Sequence, residues 1–181
     1  MEFLRWLPWN GSEEEQELIE LLQNTPIFTD LSSSDYHKIS ELCHQSTYQP
    51  DERIFSEGDP SSAIYLVKEG CVTLFKENAD GDTVELVTVE DGDFFGELAL
   101  CEGHDRTASA RAGESSVLLG IFRQELREFI QRNSRAGIQI LLNIIEVMGD
   151  HINENNRKLE SLRNTIRDLR EEDAAPPSND E

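Results

Sequence analysis

The stretch DFFGELALCEGHDRTASARA, residues 93–112, carries a glycine, a glutamate and an arginine in an order that suits an anion site. Gly96 frees the backbone and precedes good helix formers, so we predict a short helix that begins at Gly96. The first turn of a helix presents unpaired N–H groups and the positive end of its dipole, which bind phosphate groups. Arg106 follows Glu97 by nine residues, and its guanidinium can bind two oxygens of one phosphate. The stretch therefore predicts a site for a small anion.

The motif FGELAL (95–100) followed by RTA (106–108) resembles the phosphate-binding cassette of cyclic nucleotide-binding domains. The resemblance extends from Pro26 to about Glu160. This family occurs in the catabolite activators of bacteria, in regulatory parts of cyclic nucleotide-dependent kinases and in nucleotide-gated channels. The resemblance implies that the ligand is cAMP or cGMP.

The resemblance also implies a role for each residue of the motif. Arg106 would pair with the cyclic phosphate, and Glu97 would accept a hydrogen bond from the ribose 2′-hydroxyl. The amides of Gly96, Leu98 and Ala99 would complete the phosphate cage. An alternative is that Glu97 and Arg106 form a structural ion pair. The coincidence of glycine, glutamate and arginine at fixed separations favours the ligand site.

Thr107 directly follows the arginine of the motif. In relatives, a threonine here is associated with accepting cGMP, because its hydroxyl can contact the guanine amino group and a phosphate oxygen. Many bacterial members with this threonine nevertheless respond to cAMP. A second interpretation is a β-branched residue at the start of a strand. The preference between cAMP and cGMP is therefore open.

The length of 181 residues suits one domain with its own core and an appendage. No apolar run is long enough to cross a bilayer, so we expect no transmembrane segment. The formal net charge of -21 comes from 37 acidic and 16 basic residues. Such a surface repels a phosphate backbone, so we expect no nucleic acid partner. Adaptation to high salt is an alternative explanation of the charge.

Cysteine and histidine residues indicate neither disulfides nor a metal site. Three widely spaced cysteines without a secretory signal predict reduced thiols in a cytoplasmic protein: Cys43, Cys71 and Cys101. The histidines have no spacing typical of metal ligands, so we predict surface or satisfied side chains for His37, His44, His104 and His151. The absence of a histidine cluster and of an evident nucleophile–base pair argues against an enzyme such as a metal-dependent cupin.

The first 25 residues predict an aromatic head and a helix. The head, residues 1–11, holds two tryptophans. It could dock on a partner or a membrane surface, and packing against its own domain is the interpretation that we favour. A helix begins near Ser12 and ends before Pro26. A second helix is predicted from Ser33 to His44.

Residues 46–121 alternate short apolar runs with turn residues, as is typical of a β roll or a small barrel. We therefore predict an α+β fold. In it, residues 26–134 form the cyclic nucleotide-binding β-roll domain. The fold is an antiparallel β jelly-roll barrel with flanking N-terminal helices and a long C-terminal dimerisation helix. Asp51 stands where family members often have glycine, and aspartate tolerates the left-handed backbone conformation.

The longest predicted helix, residues 135–172, carries a seven-residue apolar repeat. Nine of its ten seam positions are apolar: Ile138, Ile145, Ile152, Leu159 and Ile166, and three residues later Leu141, Met148, Asn155, Leu162 and Leu169. Mostly β-branched residues at the first position, with mainly leucine or methionine at the second, favour a parallel two-stranded coiled coil. We therefore predict a homodimer joined along this helix.

Asn155 is the polar exception in the repeat. A buried asparagine can fix the number and alignment of the strands. The alternative is ligand contact, because the catabolite activator family dimerises along the corresponding helix and uses polar residues there to contact the purine. We favour ligand contact for Asn155 and Asn156.

The chain ends in a proline-containing acidic segment, residues 173–181, which we predict to be disordered. No basic helical pair follows the long helix, so we expect no helix-turn-helix. We predict a stand-alone cyclic nucleotide sensor that is not an enzyme and that signals through its coiled-coil dimer to an unidentified protein effector. The alternative is a dimerising scaffold of the same fold with a non-functional nucleotide pocket.

Overall fold

A computed structural model describes residues 12–78, 80–101 and 103–173. The predicted aromatic head, and the predicted tail after Asp173, lie outside the described residues. The α-helices are α1 (Ser12–Asn24), α2 (Ser33–Ser40), α3 (Arg123–Arg132) and α4 (Ser134–Asp173). Two 3-10 helices span Pro26–Phe28 and Glu97–Leu100, and we name the second one the cassette helix.

The eight strands in the described part of the chain form two antiparallel sheets of four strands each. Their order is β1-β8-β3-β6 in one sheet and β2-β7-β4-β5 in the other. The strands are β1 (Cys43–Tyr48), β2 (Arg53–Phe55), β3 (Ala63–Glu69), β4 (Val72–Glu77), β5 (Thr83–Val89), β6 (Phe94–Phe95), β7 (Ser109–Ala112) and β8 (Ser116–Phe122). The predicted α+β class is therefore confirmed.

The predicted jelly-roll barrel is not closed, because no strand pairing among the described residues joins the two sheets. The first sheet ends in β6, which is only two residues long and pairs with Tyr65 and Leu66 of β3. A strand this short has too few backbone groups to bridge to a second sheet. The chain at Gly96 then leaves the sheet and enters the cassette helix.

The core has two clusters that use opposite faces of the first sheet. In β3, Leu66 packs towards the helices and Val67 packs between the two sheets. In the neighbouring strand β8, Leu119 packs towards the helices and Leu118 packs between the two sheets. This alternation follows from the two-residue side-chain period of a strand. The cluster on the helical side joins all four α-helices to the sheet, which fixes the cassette helix relative to α3 and α4.

The helix α2 ends at Ser40, not at His44 as predicted from the sequence. Its N-cap is Ser32, whose Oγ accepts a hydrogen bond from the Asp35 backbone N–H at 3.3 Å. Cys43 already belongs to β1, which pairs with β8 over six positions. The ladder supplies partners for backbone groups that a longer helix would otherwise have used.

The helix α4 has two segments in different environments. In the proximal segment, residues 134–150, Ala136 and Ile140 are buried, and Asn143 Nδ2 donates to the carbonyl oxygen of Thr29 at 3.0 Å. In the distal segment, residues 151–170, every side chain for which burial is described is exposed. None of the helices in the described part of the chain has the length and apolar character needed to span a bilayer.

Candidate functional site

Gly96 and Arg106 lie in direct contact at the start of the cassette helix. Gly96 has a φ of 79°, a left-handed conformation that favours glycine. A Cβ atom at position 96 would lie 2.5 Å from Nη1 of Arg106 and 3.4 Å from the carbonyl oxygen of Ala63. Steric exclusion therefore explains the glycine of the motif, because only glycine leaves room for the guanidinium of Arg106 against this turn.

The side chain of Arg106 is buried and held from two sides. Its Nη2 donates to the carbonyl oxygen of Ala63 at 2.8 Å. The guanidinium carbon lies 4.0 Å from the ring centroid of Phe55 and 5.5 Å from that of Tyr65. A cation over aromatic faces is attracted by the ring quadrupole, and this attraction is stronger away from water. These contacts fix the direction in which the remaining N–H groups point.

Within the described residues, Nη1 of Arg106 is buried and has no hydrogen-bond partner. Burial lowers the pKa of this guanidinium, and the nearby Tyr65, Asp59 and Glu97 oppose that lowering of the pKa. An unpaired donor on a buried charged group is costly, because water no longer solvates it. An anion placed beside Gly96 would supply the missing acceptor.

A cavity of about 100 Å³ opens beside this arginine. Five of the eight predicted site residues line it: Gly96, Glu97, Leu98, Arg106 and Thr107. The structure therefore brings together both ends of the motif, although nine residues separate Glu97 from Arg106.

 The Ala99 side chain is fully buried, and its backbone N–H donates to the carbonyl oxygen of Gly96 at 2.9 Å. Ala99 does not line the cavity beside Arg106. Its amide is thus already engaged within the turn, and its predicted place in the phosphate cage stays a prediction.

A second cavity, of about 390 Å³, lies between the sheets and α4. It adjoins the first one, because the two share the lining residues Leu74, Phe95 and Glu97. The wall that α4 contributes is formed by Val147, Asp150 and His151. Nδ1 of His151 lies 3.9 Å from Oε1 of Glu97, which links the helix to the cassette.

Asn155 and Asn156 lie elsewhere. Both side chains are exposed on the distal segment, and neither lines the two cavities described here. Sequence reasoning did not identify Asp150 and His151 as site residues, because the one polar position in the apolar repeat indicated Asn155 instead. The available signal was that His151 stands one helical turn before Asn155.

The aromatic partners of Arg106 were also missed. Phe55 and Tyr65 belong to short strands, where aromatic residues usually form core. Their rings lie 6.0 Å apart between centroids, and each lies within 6.0 Å of the Phe95 ring. Nothing in the sequence separates these rings from ordinary core residues, because their role depends on the strand pairing that brings them under the guanidinium.

The metal and thiol predictions concern side chains away from this site. Across residues 12–78, 80–101 and 103–173, no group of three His, Cys, Asp or Glu side chains is arranged to hold a metal ion. All three cysteines are free thiols, and burial raises the pKa of Cys43. Besides His151, two histidines contact carboxylates: His37 with Glu15 at 2.8 Å and His44 with Glu125 at 2.9 Å.

Comparison with known proteins bears on this geometry. Residues 45–133 match the family model of the cyclic nucleotide-binding domain. The chain is 32% identical over 111 residues to the cyclic AMP receptor protein of Thermus thermophilus, a match covering 61% of this chain and 51% of that protein. It is 27% identical over 157 residues to glutaminase 1 of Bradyrhizobium diazoefficiens, covering 87% of this chain and 25% of that protein.

Solved structures agree with the sequence relatives. The crystal structure of the Thermus thermophilus catabolite activator protein superposes with a TM-score of 0.67 at 28% identity, covering 76% of this chain and 63% of that one. The chain thus spans between a quarter and about half of the length of the curated relatives named above. Residues 45–133 of this chain belong to the cyclic nucleotide-binding domain family.

Proposed function

We propose that residues 26–134 bind a cyclic purine nucleotide, cAMP or cGMP, within a jelly roll made by the two sheets. In this proposal the chain is a regulatory domain and not an enzyme. Family membership supports the ligand class. The similarity to a cyclic AMP receptor protein supports a regulatory role, although the chain covers 51% of that relative.

The unpaired Nη1 of Arg106 is the observation that carries the proposal. The cyclic phosphate occupies the cavity beside Gly96, where Nη1 donates to an exocyclic oxygen while Nη2 stays on Ala63. A charge-assisted hydrogen bond of this kind is about twice as strong as a neutral one. The phosphate thereby satisfies the donor that burial leaves without a partner. Leu98 and Thr107 form the rest of the phosphate wall.

The two adjoining cavities support an extended ligand. Glu97 lines both, so it is placed to accept a hydrogen bond from the ribose between the phosphate and the base. The purine then occupies the second cavity against Val147, Asp150 and His151 of α4. Asn155 and Asn156 join the purine contacts only when a second copy of α4 lies alongside.

The output of the proposal is a homodimer joined through α4, which contains the predicted dimerisation helix of residues 135–172, with the proximal segments of the two copies in contact. The apolar repeat is exposed along the helix, with exposed fractions between 48% and 66% for Ile138, Leu141, Ile145, Ile152, Leu159, Leu162, Ile166 and Leu169. A long exposed apolar stripe is unfavourable in water and is typical of a helix that pairs with another. Because the purine contacts α4, nucleotide binding shifts the population of helix arrangements that an effector can bind.

Calorimetric titration with cAMP and with cGMP tests the ligand. We expect one of them to bind the wild-type chain, and Arg106→Gln to weaken binding by about 10- to 100-fold, since hydrogen bonds to charged groups contribute roughly 1.5–3 kcal/mol. The matched control is Arg111→Gln. Arg111 also lies over an aromatic ring, 5.2 Å from the Phe75 centroid, but lines neither cavity.

The control variant should bind nucleotide within about twofold of the wild type, since surface contacts of this kind contribute little. Circular dichroism on both variants separates loss of binding from loss of folding. If neither nucleotide binds a folded and dimeric wild-type chain, the ligand proposal is wrong. The chain is then better described as a dimerising scaffold of the same fold.

A further inference from the structure

The distal segment of α4 differs in charge from the rest of the chain. The whole sequence holds 37 acidic and 16 basic residues, whereas residues 151–170 hold three acidic and five basic ones. Its basic residues are Arg157, Lys158, Arg163, Arg167 and Arg170. A net positive segment on so acidic a chain suggests a role that depends on charge.

Three of these basic residues, Lys158, Arg163 and Arg170, lie beside the apolar stripe of the distal segment. The stripe consists of exposed side chains, each at least 50% exposed: Ile152, Leu159, Leu162, Ile166 and Leu169. On a helix, six positions border this stripe, and they hold His151, Asn156, Lys158, Arg163, Thr165 and Arg170. No aspartate or glutamate occupies any of these six positions. The acidic residues that end the helix, 171–173, come after Leu169.

A second copy of the same helix does not complement these borders. In a parallel pair, Lys158 of one copy faces Arg163 of the other. In an antiparallel pair, each bordering position faces the same type of position of the other copy, so Lys158 faces Lys158 when the two copies are aligned about this residue. Like charges across a helix pair destabilise it, and opposite charges at these positions set the choice of partner. Self-pairing of the distal segment therefore brings basic side chains together in either direction, and only part of this charge is offset within the helix, where Lys158 Nζ lies 2.7 Å from Oε1 of Glu154.

The proximal segment has no such conflict. Its positions that border the seam are Gly137, Leu142, Ile144 and Gly149, which carry no charge. Leu142 is 55% exposed, so it widens the apolar surface on that side. This half of the helix suits a second copy, and the distal half does not.

We propose that the distal segment of α4 binds an amphipathic helix of an effector protein. The partner helix has apolar residues for the stripe and glutamate or aspartate along both of its edges. The segment of 20 residues is about 30 Å long, so it matches a partner helix of about 20 residues. This inference concerns the partner contact, and it does not require that the roll binds a nucleotide.

Two synthetic peptides test the inference on the full chain. Both are helical, about 21 residues long and carry the same isoleucine and leucine repeat. One has glutamate at every bordering position and the other has lysine. Fluorescence anisotropy should show the glutamate peptide binding at least about tenfold more tightly, with the difference shrinking as salt is added. The test is stringent, because the net charge of -21 favours the lysine peptide in any non-specific binding.

Charge reversal supplies the matched variants. The triple variant Lys158→Glu, Arg163→Glu and Arg170→Glu should reverse the preference to the lysine peptide. The control variant Arg157→Glu and Arg167→Glu changes exposed basic residues that do not border the stripe, and it should keep the preference for the glutamate peptide. Circular dichroism confirms that each variant retains its helix.

Equal binding of both peptides to the wild type, or binding of neither, would overturn the inference. So would a sedimentation experiment in which the distal segments stay paired with each other and exclude the glutamate peptide. Nucleotide titration on the same preparations is a separate measurement. Retained nucleotide binding without peptide selectivity refutes this inference alone, whereas peptide selectivity without nucleotide binding refutes only the ligand proposed for the roll.

Discussion

The proximal and distal segments of α4 share one apolar repeat but lie in different surroundings. In the proximal segment, Ala136 and Ile140 are buried against the domain, while Ile138 and Ile145 on another face are 61% and 66% exposed. In the distal segment, the repeat is the only apolar feature, and Ile166 is 50% exposed. The repeat therefore marks the surface left for other chains, and a second set of residues holds the helix on its own domain.

This difference shows why a seven-residue repeat does not identify the core of a domain. The residues that anchor α4 are Ala136, Ile140, Asn143 and Val147, which follow the spacing of one helix face. Two of these four are an alanine and an asparagine, which a search for large apolar residues passes over. The anchoring face becomes visible only when the partner elements, the Pro26–Phe28 helix and α3, are in place.

The largest expected effect separates the two segments by truncating one isoleucine in each. Ile140→Ala removes a fully buried side chain, and we expect the free energy of unfolding to fall by about 2–5 kcal/mol. Ile166→Ala should change the free energy of unfolding of the domain by less than about 0.5 kcal/mol and weaken partner binding instead. Urea unfolding followed by circular dichroism at low protein concentration measures both. Equal losses would show that the distal segment packs on the domain.

A second pair of variants compares the two asparagines of α4. Asn143 Nδ2 donates to the carbonyl oxygen of Thr29 at 3.0 Å, whereas Asn155 is exposed in the apolar repeat. Asn143→Leu leaves this part-buried carbonyl without its partner, so we expect a loss of about 1–3 kcal/mol in the free energy of unfolding. Asn155→Leu should not lower domain stability, and it should leave self-association unchanged, because residue 155 is exposed and lies in the distal segment.

Sedimentation equilibrium and urea unfolding give the two readouts separately. If Asn155→Leu strengthens self-association, the distal segments of two copies pair with each other, and the seam of the homodimer passes through residue 155. If Asn143→Leu is as stable as the wild type, the hydrogen bond to Thr29 does not anchor the proximal segment.

The sequence predicted the parts of the site that local chemistry determines. The contact between Gly96 and Arg106 was predictable, because a glycine with positive φ and an arginine at a fixed separation form one motif. The left-handed conformation of Asp51, with φ of 63°, was predictable for a residue that replaces a turn glycine. Both depend on a few neighbouring residues.

The parts that were missed depend on contacts between distant segments. The end of α2 at Ser40 follows from the pairing of β1 with β8, about 75 residues later in the chain. The two open sheets follow from the shortness of β6. The presence of His151 in the wall of the second cavity depends on the angle at which α4 crosses the roll. No local pattern contains this information.

The smallest expected effect concerns His151, which stands where the two segments of α4 meet. Its Nδ1 lies 3.9 Å from Oε1 of Glu97, and its side chain is 52% exposed. His151→Ala removes part of the proposed purine wall, so we expect nucleotide affinity to fall by about three- to tenfold. Domain stability should change by less than about 0.5 kcal/mol, because the lost contact is largely solvated.

The matched control is His37→Ala, which removes another histidine–carboxylate contact, the one with Glu15 at 2.8 Å. Neither His37 nor Glu15 lines the two cavities. Nucleotide affinity should be unchanged in this variant, as measured by the same calorimetric titration. If His151→Ala also leaves affinity unchanged, the purine does not reach α4. Nucleotide binding then has no direct contact through which to act on the helix, and the distal segment would bind its partner independently of the ligand in the roll.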